Sequence, residues 1–196
     1  CAPEVFPASA DRLYRNLGEG RFEDISDRVG LSSSARPGLG VVARDFNGDG
    51  RPDFFVANDA DDNQLWLNQN GRTLMDDALL SGVAVNGDGE AEASMGVSVS
   101  DFDRDCDLDL FMTHLAAETN TLYRSSSEGW FSDATNQFGL GVASTPFTGF
   151  GTHWIDADND GDLDVYTVNG AVSRLQEQIL AGVAFPLEQP NQLWIN

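Results

Sequence analysis

Short apolar runs, most of four or five residues and bounded by glycine, asparagine or aspartate, recur along the whole chain. Residues 40–43 (GVVA), 96–99 (GVSV) and 151–155 (GTHWI) form one series, each opening on glycine. Residues 53–57 (DFFVA), 109–113 (DLFMT) and 164–168 (DVYTV) form a second. A third comprises 64–68 (QLWLN), 121–124 (TLYR) and 192–196 (QLWIN), preceded by Asn63, Asn120 or Asn191; residues 12–16 (RLYRN) belong with it. A fourth, weaker series follows a glycine turn at 20–25, 71–76 and 129–133. Runs of this length, rich in β-branched and aromatic residues, predict strands rather than helices.

Polar residues concentrate between the first and second series. Residues 45–53 (DFNGDGRPD), 101–109 (DFDRDCDLD) and 156–164 (DADNDGDLD) each put an oxygen-bearing side chain at positions 1, 3, 5 and 9. That spacing wraps oxygen donors around one hard cation. The first aspartates stand 56 and then 55 residues apart, so the ligand pattern recurs once per structural unit. An EF-hand would need Glu at position 12 and flanking helices. Position 12 here is Val56, Met112 or Thr167, and apolar strand-like runs follow. Each acidic segment is therefore expected to be the bend of a β-hairpin.

Four antiparallel strands per repeat make one blade of a β-propeller. Residues 1–37 read as the last two strands of a blade, 38–92 and 93–147 as whole blades, and 148–196 as a blade that stops inside its third strand. Three to four blades leave open edges, which implies further blades from the same or another chain. Residues 171–190 break the period, and Val172, Leu175, Ile179 and Leu180 fall at helical spacing ahead of Gly182 and Pro186. This predicts a short amphipathic helix near 172–182, packed on the rim of its blade.

Charge reinforces the metal argument. All 11 basic residues are arginine, against 32 acidic ones, for a net charge of −21. Thirteen aspartates lie in the three bends, and counting positions 1, 3, 5 and 9 alone gives ligand charges of −3, −4 and −4. Without divalent metal such hairpins repel themselves. The same acidity excludes electrostatic binding to nucleic acid or anionic lipid. Weak oxygen-ligand sites of extracellular modules fill at roughly 10⁻⁴ to 10⁻³ M calcium, which points to a secreted, periplasmic or cell-surface location. Lipidation of Cys1 and a Cys1–Cys106 disulfide are both open on sequence grounds. Cys106 takes the sixth position of its bend, where the others have Gly50 and Gly161, so the second site is expected to be strained or weaker.

Other chemistry is sparse. His114 and His153 lie on strands of different blades without a zinc-type cluster around them, and read as structural. No nucleophile elbow, phosphate-binding loop or dinucleotide fingerprint occurs, and carboxylates committed to a cation cannot act as general acids, so an enzyme is not expected. Trp66, Trp130, Trp154 and Trp194 could stack on sugars, but their place within alternating strands predicts packing between blades. The acidic residues 86–92 read as an exposed loop.

The order of hairpin strand, DxDxDGxxD bend, LYRN and GxGxF resembles the FG-GAP/VCBS repeats of integrin-α-like propellers. Residues 93–97 (ASMGV), 111–114 (FMTH), 118–124 (ETNTLYR) and 189–193 (QPNQL) are similar to bacterial cartilage acidic protein-like propellers, often associated with an ASPIC/UnbV domain. The resemblance implies an all-β, seven-bladed, calcium-stabilised propeller, exported and used for adhesion or protein interaction. A glycan-binding or glycan-processing propeller is the alternative. By matching position it implies Asp45, Asn47, Asp49 and Asp53 around a first Ca2+, with Arg51 offering its carbonyl. Asp101, Asp103, Asp105 and Asp109 would hold a second, with the backbone of Asp107, and Asp156, Asp158, Asp160 and Asp164 a third, with that of Asp162. No matched position carries a catalytic role.

Overall fold

The apolar runs on either side of each acidic bend pair antiparallel, and the runs that follow add to the same sheet. The computed structural model describes residues 5–174, 176–182 and 184–196. Its first sheet holds β1 (Tyr14–Gly18) and β2 (Arg21–Asp24). The second runs β3 (Gly38–Arg44), β4 (Asp53–Asn58), β5 (Gln64–Asn68), β6 (Leu74–Asp76). The third runs β7 (Gly96–Ser100), β8 (Asp109–Thr113), β9 (Thr121–Ser125), β10 (Phe131–Asp133), and the fourth β11 (Gly149–Ile155), β12 (Asp164–Asn169), β13 (Gln192–Trp194). Every pairing is antiparallel between consecutive strands, so the chain is an all-β array of propeller-like blades. Register repeats as well: Phe54, Leu110 and Val165, each one residue past the ninth position of a bend, face Trp66, Tyr123 and Trp194.

Period-two alternation splits each central strand between two cores. On β8, Leu110 and Met112 join Phe55, Ala57 and Leu65 between the second and third sheets, while Phe111 points the other way. There it meets Trp154 and Val165 of the fourth sheet, and Phe102 stacks on Trp154 at 5.4 Å. Val56 turns toward Val29 and Leu31 of the first repeat. A strand buried on both faces reads as continuously apolar, as 110–112 does. The first strands of the blades lie side by side, and a Cβ at Gly96 would collide with the Phe150 carbonyl. Glycine there is a steric requirement for stacking blade on blade.

Several features depart from expectation. Short helices α1 (Ser26–Val29) and α2 (Ala78–Ser81) follow the fourth strand of their repeats. Asp24 Oδ1 accepts the Ser26 N–H at 3.0 Å and Asp76 Oδ1 the Ala78 N–H at 3.2 Å, and each helix ends on a left-handed glycine, Gly30 or Gly82. A third short helix, α3 (Gly141–Ser144), precedes the fourth sheet. The expected helix is present as α4 (Gln176–Leu180), but the described apolar side chains Val172, Ile179 and Leu180 are exposed rather than packed on a rim. Helical spacing marks a face, and only a neighbour within reach can cover it. Leu175 and Cys1 lie outside the described residues, and with Cys1 the lipidation and disulfide alternatives. Trp66 and Trp154 are buried and Trp194, partly buried, packs against the cluster that contains Trp154, whereas Trp130 is 54% exposed. It sits in the turn ahead of β10, where strand alternation no longer applies. Among the described residues no helix is long and apolar enough to cross a membrane.

Candidate metal centres

The three acidic bends share one backbone path. Position 4 is left-handed in each, at Gly48, Arg104 and Asn159 (φ 71°, 62° and 62°), and so is position 6, at Gly50, Cys106 and Gly161 (φ 81°, 73° and 93°). A non-glycine residue held there is strained, so Cys106 carries the conformation that its sisters take freely. The wrapped path turns side chains onto the loop's own amides. The carboxylate at position 1 accepts the N–H of position 6 in all three, Asp45 from Gly50 (2.7 Å), Asp101 from Cys106 (3.0 Å) and Asp156 from Gly161 (3.2 Å). Position 5 likewise accepts from position 7: Asp49 from Arg51, Asp105 from Asp107 and Asp160 from Asp162.

The ninth aspartate does a different job. Asp53, Asp109 and Asp164 are buried. One oxygen of each accepts the N–H of position 2, from Phe46, Phe102 and Ala157 at 3.0, 3.3 and 2.8 Å. The other accepts an N–H at the end of the third strand, from Asn68, Ser125 and Asn196 at 2.7, 2.8 and 2.8 Å. Each therefore ties its bend to the sheet. Burial pushes Asp109 up to about 6 against these hydrogen bonds, with the charges of Asp103 and Asp105 adding to the rise. Burial also raises Asp53.

Carboxylate oxygens of Asp101, Asp103 and Asp109 lie within 4.8 Å of one another, as do those of Asp156, Asp158 and Asp164. These two clusters could hold a metal ion. Oδ1 of Asp101, of Asp103 and of Asp156 is buried without a hydrogen-bond partner, a costly state unless a cation satisfies it. An all-oxygen, anionic donor set suits a hard divalent ion. Asp105, Asp107, Asp160 and Asp162 fall outside the clusters. Asp105 is engaged by Arg124 (3.3 Å) and Asp162 by Arg104 of the neighbouring bend (2.6 Å). Among the described residues the first bend brings no three carboxylates together: its third position is Asn47, and Asp49 pairs with Arg51.

A further polar cluster, missed in the sequence, sits at the opposite end of the third sheet. The residue five beyond the ninth aspartate is Asn58, His114 or Asn169, and its N–H donates to Asn63, Asn120 or Asn191. In the second and fourth sheets the Asn58 and Asn169 amides reach Gln64 and Gln192 at 3.4 and 3.1 Å. In the third, Thr121 replaces that Gln and Glu92 fills the gap: the Thr121 hydroxyl donates to Glu92 Oε2 at 3.1 Å, and His114 Nε2 lies 3.7 Å away. Glu92 is buried, which corrects the exposed reading of 86–92 for that residue, while His153 is exposed. Burial pushes Glu92 up to about 7 and His114 down to about 3, so the contact is acid to neutral imidazole rather than an ion pair. The departure from the Asn and Gln of the sister repeats was the available signal.

The family model for the FG-GAP-like repeat matches residues 5–56, 45–112 and 101–167. Two of these spans open on the first aspartate of a bend and run into the strand beyond the next, so the matched unit is the spacing between the acidic hairpins. Comparison with curated proteins gives no match. With three successive matches of one repeat model spanning residues 5–167, and with the strands they span folded into antiparallel sheets of two to four strands, the chain belongs to the FG-GAP-like repeat family.

Proposed function

We infer that this chain is a calcium-binding propeller module for adhesion or protein–protein interaction outside the cytosol, in which calcium serves architecture and not catalysis. The observation that carries this reading is the set of buried, partnerless oxygens on Asp101, Asp103 and Asp156, facing carboxylates brought within 4.8 Å. In the second and third bends, positions 1, 3 and 9 supply the central oxygens. Asp105 and Asp160 complete them from position 5, and the carbonyls of Asp107 and Asp162 from position 7. In the first bend Asp45, Asn47, Asp49 and Asp53, with the Arg51 carbonyl, form the weaker counterpart. A bound ion neutralises the bend that joins the first two strands of a blade, and it would hold the ninth aspartate ionised against its burial.

An interaction role is supported by an open groove beside the first sheet. It has a volume of about 420 Å3 and is lined by Leu13, Leu31, Val41, Phe54, Val56 and Trp66. The two strands of that sheet correspond to the third and fourth of a blade, so the groove suits a pair of inner strands from the same or another chain. The test is thermal unfolding with EDTA against millimolar calcium. An ion bound only by the folded form adds about 2.7 kcal/mol at a hundredfold excess over Kd. Superimposable melting curves would refute the reading.

A further inference from the structure

The three bends differ in what already sits on their carboxylates. Register makes Leu67, Arg124 and Ile195 equivalent, each one residue past the strand partner of the second residue of β4, β8 or β12. Only in the third sheet does this position carry a charge. Arg124 lies across the second bend, with Nε 2.5 Å from Asp103 Oδ2 and its second nitrogen 3.3 Å from Asp105 Oδ2. Asp103 belongs to the cluster of three, so the guanidinium touches a central oxygen donor. Arg104 also spans two bends, but it engages Asp162 and the Gly161 carbonyl and leaves Asp156, Asp158 and Asp164 uncovered.

We propose that Arg124 is a tethered counter-cation that sets the affinity of the second bend, making it the weaker of the two clustered sites and less dependent on metal for its fold. This rests on the calcium reading above. A divalent ion entering the second bend must either displace the guanidinium from Asp103 and Asp105 or bind beside a like charge. Both weaken binding. When the ion is absent, Arg124 offsets part of the repulsion among Asp101, Asp103, Asp105 and Asp109. The third bend has the same four aspartates and no such cation on its clustered oxygens.

Each bend carries its own reporter, because the position-6 amides of Gly50, Cys106 and Gly161 donate to the first aspartate of their own loop. In an amide proton–nitrogen NMR titration with calcium, the Cys106 signal moves at higher calcium than that of Gly161. In Arg124→Leu, which installs the residue of the second sheet, the Cys106 midpoint falls by about tenfold or more, and those of Gly50 and Gly161 stay in place. Arg124→Gln, which keeps a polar side chain without charge, gives the same direction and serves if the leucine variant does not fold. If no position-6 amide responds to calcium, the metal reading itself fails. If the amides respond but neither variant lowers the Cys106 midpoint, Arg124 has no such role.

Discussion

Glu92 gives the sharpest quantitative test of the packing described above. Its carboxyl is raised from 4.5 to about 7, chiefly by burial, with Glu118 adding repulsion and the Thr121 hydroxyl opposing. His114, Glu118, Asp133 and Tyr123 are the titratable groups around this cluster, and burial keeps His114 neutral well below the window concerned. A raised carboxyl means that the folded state holds its proton more tightly than the unfolded one. Stability is therefore fully present below about 4.5 and is lost as pH rises through about 7. The span of about 2.5 pH units corresponds to about 3 kcal/mol. Glu92→Gln keeps an oxygen for Thr121 and removes the titration. Wild type and variant should be of similar stability at pH 4, and the variant more stable by about 3 kcal/mol at pH 8, or roughly 6–12 °C in Tm. Denaturant unfolding at several pH values reads the difference directly, because contributions from other titrating groups, Asp109 among them, cancel between the two proteins. A difference that stays constant from pH 4 to pH 8 would refute the buried, protonated carboxyl.

Three further outcomes follow from particular contacts. Cys106→Gly relieves the left-handed strain at the sixth position and should stabilise the fold by about 1 kcal/mol, read by thermal unfolding. Gly96→Ala drives a methyl group into the Phe150 carbonyl and should destabilise by about 1–3 kcal/mol in chemical denaturation, because the atom it meets is backbone and cannot swing aside as a flexible side chain would. In calcium, Asp156→Ala should lose the metal-dependent part of stability of its bend, about 2.7 kcal/mol at a hundredfold excess. Asp162→Ala, which gives up an exposed pair with Arg104, should change stability by about 0.5 kcal/mol, and equal losses in these two variants would break the ligand assignment.

Much of this architecture was legible along the chain. The strand positions followed from apolar runs between turn residues, and the hairpin bends from aspartates at positions 1, 3, 5 and 9. Both signals are local, because side-chain alternation and turn chemistry act between residues a few positions apart. The left-handed need of the sixth position could be read from Gly50 and Gly161, and Cys106 stood out against them for that reason.

Other properties arise from meetings between distant segments, which no local period encodes. Glu92 is buried because Thr121 and His114, from another part of the repeat, close over it. Trp130 is exposed although it resembles its buried counterparts, and the apolar residues of α4 find no cover. Arg124 lies 21 and 19 positions from Asp103 and Asp105 and reaches them only because β9 returns beside β8. Spacing along the chain thus settled where oxygen donors gather and how strands alternate. Burial and long-range charge contacts were decided when strand met strand and blade packed on blade, since desolvation and Coulomb energy depend on distances in space rather than in sequence.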